Sequence, residues 1–152
     1  VILVMKKKYL SQESVENYIH LIYLNIIEAN WSPDIIISIN RGGCIPGVYL
    51  SHYISVKHKV FDFKDIDNTN IHLYKIILDN YKNILIVDDI NDTGETLSSI
   101  SKYFKDYSQK IKYAVIVDNR TSIFNVDFYG NQIDKGADSS WIVFPWENNE
   151  KK

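Results

Sequence analysis

Apolar residues recur at helical spacing early in the chain, at Val15, Tyr18, Ile19, Ile22, Tyr23, Ile26 and Ile27. That period predicts an amphipathic helix of about 16–19 residues, opened at Ser11-Gln12-Glu13-Ser14 and stopped by Pro33. The pattern then changes. Ile35-Ile36-Ile37-Ser38-Ile39 is a β-branched run without alternation, as expected of a strand buried on both faces. Arg41-Gly42-Gly43 breaks that strand, Pro46 suits a first helical turn, and Val48, Tyr49, Leu50, Tyr53 and Ile54 form the apolar face of a second helix. Lys57 to Phe63 alternates as an edge strand with one wet face would. Asp65 to Asn70 is polar and turn-forming, which predicts a mobile surface loop and a candidate lid. Ile84–Val87, Tyr113–Val117 and Trp141–Phe144 read as further strands, and Glu95–Tyr107 as a further helix. Continuous apolar strands separated by helices predict an α/β fold: a single domain over residues 1–152 with a mostly parallel central sheet flanked by helices.

Composition narrows this picture. With 152 residues, 45% hydrophobic and 24% charged, the chain has the balance of one globular domain with its own core. A net charge of -2 with mixed signs argues against nucleic acid as a partner, so a bound phosphate would be held by a local site. The lone Cys44 excludes an intrachain disulfide and a cysteine metal cluster, which fits a reducing cytoplasm. Val1 to Met5 precede Lys6-Lys7-Lys8, the reverse of a secretion signal. Met5 is an alternative start, with residues 1–4 then an artefact. No stretch approaches the roughly 18 apolar residues of a membrane span.

The unusual polar residues fall at strand ends, where open parallel sheets bind ligands. Arg41-Gly42-Gly43 follows the first buried strand, Asp88-Asp89 the second, and Asn119-Arg120 the third. Adjacent carboxylates repel unless cations or hydroxyl groups offset them, so Asp88 and Asp89 imply a divalent metal or a polyhydroxyl ligand. The alternative is that they close a strand and cap a helix. Asp92-Thr93-Gly94-Glu95-Thr96 then opens a helix whose first amides, with the hydroxyls of Thr93 and Thr96, make a phosphate cradle. Carboxylates beside a phosphate cradle describe a sugar phosphate.

The stretch Ile84-Leu-Ile-Val-Asp-Asp-Ile-Asn-Asp-Thr-Gly-Glu-Thr-Leu97 resembles the phosphoribosyl pyrophosphate (PRPP) motif of the type I phosphoribosyltransferases. The order of elements matches across most of the chain. Trp141-Ile142-Val143-Phe144-Pro145-Trp146-Glu147 brings it nearest the small microbial 6-oxopurine enzymes, the xanthine–guanine and hypoxanthine group. The resemblance implies that fold, with a small hood or lid, and transfer of the 5-phosphoribosyl group to guanine, xanthine or hypoxanthine. Asp88 and Asp89 would hold the ribose hydroxyls directly or through magnesium, and Asp92, Thr93, Gly94, Glu95 and Thr96 the 5-phosphate. Arg41, Gly42 and Gly43 would hold pyrophosphate. Residues 141–147 form the base-binding segment, with Trp141 stacking on the purine and the backbone of Ile142 reading its 2-position; Trp146 suits a core or interface anchor. Asp92 would be the general base for the purine N7 proton, or else a helix cap. Where those enzymes commonly place a Lys for the 6-oxygen, this chain has Asn119, which can donate to a 6-oxo group or accept from a 6-amino group. Arg120 beside it also suits a surface or interface charge. Adenine or pyrimidine transfer, or a non-catalytic PRPP-binding regulator, are the rival readings. A dimer or tetramer is the assembly the family implies.

Overall fold

A computed structural model describes residues 4–64 and 68–147. Ser11 caps α1 (Gln12–Glu28), its hydroxyl accepting from Ser14 N at 3.1 Å, and the predicted stripe buries Val15, Ile19, Ile22 and Ile26. The helix ends at Ala29, with Asn30 in the left-handed region, so the turn stops it before Pro33 is reached.

The central sheet is parallel throughout. Its strands β2 (Ile35–Ile39), β3 (Lys57–Phe61), β4 (Ile84–Asn91), β5 (Ile111–Asn119) and β6 (Phe128–Ile133) lie in the order β3-β2-β4-β5-β6. Alternate residues feed two cores. Ile36, Leu85, Val87 and Ile116 meet α1 and α2 (Cys44–Ile54) on one face. Ile35, Ile37, Ile84, Ile86 and Val115 meet α3 (Asn68–Asp79) and α4 (Glu95–Tyr103) on the other. Burial on both faces is why these strands carry no polar alternation.

Several expectations are corrected. The strands before the polar clusters are longer than the apolar runs, because β4 and β5 keep pairing side by side through Asp88, Ile90 and Asn91; Asp88 and Asp89 lie inside β4, and Asn119 inside β5. α2 buries only Leu50 of its expected apolar face, leaving Val48 and Tyr53 exposed; Pro46 and Gly47 let it ride close on β2. α4 gives way to a tighter turn over Lys105–Tyr107. Two strands had no apolar signal. One is β6, whose Gly130 admits α1 at Tyr18. The other, β1 (Lys7–Tyr9), pairs in parallel with β7 (Trp141–Val143) as a separate ribbon, so the Trp141 strand stands outside the main sheet.

The expected lid loop is the largest difference. Asp65, Ile66 and Asp67 lie outside the described residues, and from Asn68 onward the chain is helical. Ile71, Tyr74, Ile77 and Leu78 supply a helical stripe that packs on the sheet, and the Tyr74 ring stacks on Phe61 with centroids 3.8 Å apart. The Tyr74 hydroxyl accepts from Asp62 N and donates to Asp62 O, tying α3 to the end of β3. No helix among the described residues is long and apolar enough to cross a membrane.

Leu78 is fully buried beneath α3. Leu78→Ala is expected to cost about 2–5 kcal/mol, the usual loss for a buried leucine. Urea unfolding measures it, and a loss under about 0.5 kcal/mol, typical of a surface position, would show that α3 is not part of the core.

Candidate active site

Between β2 and β4 the order of strands reverses direction, which is where an open α/β sheet offers a crevice at its carboxyl edge. β2 pairs with β4 only as far as Ser38 and Val87, while β4 continues along β5 to Asn91. The β2 side of β4 is therefore open from Asp88 onward. Arg41-Gly42-Gly43 turns back across that opening. A Cβ on Gly43 would strike Val87 O and the backbone of Ile39, and one on Gly42 would strike the Asp89 carboxylate. At Gly43 only glycine allows the loop to lie between these strand ends, whereas Gly42 leaves room for the Asp89 carboxylate.

Because the acids are neighbours in a strand, the pleat sends them to opposite faces. Asp88 opens on a cavity with Ile39, Asn40, Phe63, Lys64, Thr96 and Ile100. Asp89 opens on one of about 650 Å³ with Arg41, Gly42, Lys64, Trp141, Trp146 and Glu147. Asp88 is buried, and its Oδ1 accepts from Asp89 N at 2.9 Å; Asp89 Oδ1 accepts from Ile90 N at 2.7 Å. Neither makes an ion pair with a described residue. Burial, and then the charge of Asp89, hold the Asp88 carboxyl well above the usual carboxylate range. Burial pushes Asp89 up as well.

The next turn is held from below. Asn91, itself buried, donates from Nδ2 to Asp118 Oδ1 and to Phe124 O, both at 2.8 Å. Ser122 donates to Asn91 Oδ1, and Gln132 donates to Asp118 Oδ2. Thr93 O accepts from Ile123 N at 3.0 Å. Above this network Gly94 takes a φ of 91°, pressed so close to Ser122 and Phe124 that a side chain would collide with both. The amides that open α4 are thereby aimed into the cavity lined by Asp88 to Gly94, Thr96, Leu97 and Trp141. Glu95, exposed in the first helical turn, lines none of these cavities; its amide receives Thr93 Oγ1 as acceptor at 3.3 Å.

Trp141 reaches the same cavity from the β1–β7 ribbon, with its side chain 48% exposed. Trp141 N donates to Lys6 O and Val143 O accepts from Leu10 N, so the backbone of Ile142, between them, faces away from β1. Trp146 stacks on Phe144, centroids 4.8 Å apart, as an anchor of the segment. Glu147, which no motif singled out, turns its carboxylate back to Phe144 N while lining the Asp89 cavity.

Asn119 is turned toward the loop. It is buried, its Nδ2 donates to Asp92 O at 2.8 Å, and its Oδ1 accepts from Thr121 N, Thr121 Oγ1 and Lys135 N. Its oxygen is fully engaged by the loop, and one of its two Nδ2 hydrogens is left over. Arg120 points outward to Asp134 at 3.9 Å, an exposed pair. The cation that does approach the cavity is Lys135, which has no sequence motif around it. Its Nζ lies 3.6 Å from Asp92 Oδ2 and 5.7 Å from the centre of the Trp141 ring.

The family model for the phosphoribosyl transferase domain matches residues 7–150. A purine phosphoribosyltransferase from Pyrococcus horikoshii Ot3 is similar at 29% identity over 95% of each chain, with a TM-score of 0.71. A Helicobacter pylori xanthine–guanine–hypoxanthine phosphoribosyltransferase is 17% identical over 96% of this chain and 95% of its own, TM-score 0.73. A Neisseria gonorrhoeae protein solved with ppGpp bound is 18% identical over 97% and 92%, TM-score 0.74.

The two glycines should separate fold from site. Gly43→Ala meets backbone and is expected to lose about 1–3 kcal/mol, as overpacking does, whereas Gly42→Ala meets one side chain and should melt near the parent. Thermal melts compare them, and equal losses would contradict this division. The acids supply a pH test. A carboxyl raised by folding stabilises the chain below its unfolded pKa and loses that contribution as pH climbs through the folded value. Asp88→Asn, which keeps the acceptor for Asp89 N, is therefore expected to raise Tm in EDTA at about pH 7 and by less at about pH 5, closer to the ordinary range. A gain that grows on acidification would contradict the burial of an ionised Asp88.

Proposed function

Because the chain belongs to the phosphoribosyl transferase domain family across residues 7–150, we propose that it transfers the 5-phosphoribosyl group from PRPP to a 6-oxopurine, releasing pyrophosphate and forming the nucleoside monophosphate. The observation that carries this reading is a single cavity lined by the acid pair, the phosphate cradle and the half-exposed Trp141. Sugar, phosphate and base each meet a suitable surface there. The similar Pyrococcus horikoshii enzyme, named for purine transfer, supports the same substrate class.

In this reading the carboxylates of Asp88 and Asp89 accept from the ribose 2- and 3-hydroxyls. The first amides of α4, with Thr93 and Thr96, take the 5-phosphate. Gly42 and Gly43 bring backbone close to the pyrophosphate, and Arg41 and Lys64 face it across the cavity. Magnesium suits the acid pair: both carboxylates are without an ion-pair partner among the described residues, which offer no cluster of three or more ligands. Such a site holds a cation that completes its shell with water and substrate oxygens. When bound, the ion neutralises charge on the departing pyrophosphate. Trp141 offers its face to the purine, and the Ile142 backbone its edge contacts. Asp92 stands on the base side of the loop, its main chain fixed by Asn119, so that its carboxylate takes the N7 proton as a ring nitrogen closes on C1. A homo-oligomer accords with the exposed apolar residues Leu24, Ile27, Val48 and Tyr53 on α1 and α2.

Pyrophosphate release with PRPP and magnesium, run side by side with guanine, hypoxanthine, xanthine and adenine, tests the reading; 6-oxopurines should drive release. PRPP binding without release on any base would instead identify a sensor. Asp92→Asn is expected to lower kcat by about 10²–10⁴-fold, the worth of a general base, while PRPP binding measured by calorimetry persists. Unchanged turnover would remove Asp92 from that role.

A further inference from the structure

Asn119 is buried with its oxygen and one amide hydrogen held by the loop, and a cation stands beside the Trp141 ring. Lys135 lies in the connection between β6 and β7. Its backbone N–H donates to Asn119 Oδ1 at 3.0 Å, so the asparagine that fixes the Asp92 main chain also fixes that of the lysine. The Lys135 side chain is only 14% exposed, and its ammonium stands between two groups that line the cavity, the Asp92 carboxylate and the Trp141 ring. At 3.6 Å the contact with Asp92 is an ion pair but longer than a good hydrogen bond. Nζ makes no hydrogen bond to any described residue. An ammonium carries three donors and no acceptor. A side chain covered for most of its length therefore ends in an ammonium with open donors, beside the place where a base would stack.

The purine edge fits this pair of charges. In a 6-oxopurine the 6-substituent and N7 share one edge, and the 6-oxygen accepts; in adenine the 6-amino group donates. When N7 carries the proton that the base must lose, a 6-oxopurine presents a donor at N7 beside an acceptor at O6. Asp92 accepts and Lys135 donates, side by side. A 6-amino group would instead turn its N–H bonds on an ammonium that has no lone pair to receive them, the kind of buried mismatch that binding sites reject strongly.

We propose that Lys135, from the β6–β7 connection rather than the end of β5, is the specificity-determining residue of the site, donating to the 6-oxygen of a base stacked on Trp141 and thereby selecting 6-oxopurines over 6-aminopurines. This rests on the transferase reading above.

Lys135→Met keeps the length and apolar stem without a donor, and Lys135→Gln offers both a donor and an acceptor. For each, kcat/KM is measured with guanine, hypoxanthine and adenine, and IMP and AMP are titrated by calorimetry to read base preference without turnover. Binding of PRPP with magnesium, expected to be unchanged, reports an intact fold and sugar-phosphate site. Lys135→Met should lower kcat/KM for the 6-oxopurines by about 10–100-fold, the worth of a hydrogen bond to a charged group, and leave that for adenine unchanged or raised. The IMP-over-AMP preference should fall in parallel, and Lys135→Gln should narrow both ratios. If the unaltered protein turns over 6-oxopurines and either variant keeps its oxo-over-amino ratio, the role of Lys135 is overturned and the transferase reading stands. If the unaltered protein binds PRPP but turns over no purine, both fall.

Discussion

Two adjacent carboxylates, one buried and one half-buried, in the central strand of a doubly covered sheet set the terms for the rest of this molecule. β4 has to be apolar from Ile84 to Val87 to lie between two cores, yet it continues without a break into Asp88 and Asp89. Burial favours the neutral acids, and no cation among the described residues makes an ion pair with either. The nearest cations, Arg41 and Lys64, line the facing cavities without making ion pairs to them. The cost of desolvating these charges is thus left for a ligand to offset. A hydroxyl-bearing sugar and a divalent cation are chemically suited to do so, which links the oddest feature of the strand to the reaction proposed.

Such a strand end is useful only if its surroundings hold still. The network of Asn91, Asp118, Ser122 and Gln132 does this, running from the buried Asn91 and Asp118 out to the exposed Gln132, and no buried side-chain nitrogen or oxygen among the described residues lacks a partner. A satisfied buried network is rigid because every alternative arrangement would strand a donor or an acceptor. It supports the loop at Thr93 and Gly94 from beneath, so the amides of α4 converge on one point. In the proposed reading, phosphate would be recognised by backbone placement more than by charge.

The parts of this architecture visible in the sequence are those with a local cause. β2, β4 and β5 announce themselves by β-branched runs, α1 by its period, and the sugar-phosphate site by acids and glycine at fixed spacing. The parts that were not visible depend on distant partners. β6 is polar and glycine-containing, and is a strand because β5 offers it an edge and α1 covers Gly130. β1 is three residues long and exists through its pairing with β7. α3 follows a turn-rich stretch and is fixed by the stack of Tyr74 on Phe61, partners on different elements. Asn119 shows the same limit within the site: its residue type suits base reading, but whether an amide is free depends on Thr121, Lys135 and Asp92, which sequence order does not bring together.

The sequence shows the proposed sugar-phosphate loop as one continuous run and the proposed base contacts only in part, for a physical reason. A phosphate needs several convergent amides, and only a helix start after a tight turn supplies them, so its sequence is constrained over consecutive residues. The edge of a purine needs one donor at the correct point in space, and many segments can deliver one. Here the ribbon of β1 and β7 brings Trp141 to the rim, and the chain must pass close to it on the way from β6. A lysine on that passage comes beside the Trp141 ring and Asp92 without altering β5, while Asn119 at the end of β5 braces the Asp92 loop. In the proposed reading, the base contact looked for at Asn119 passes to the lysine that it touches.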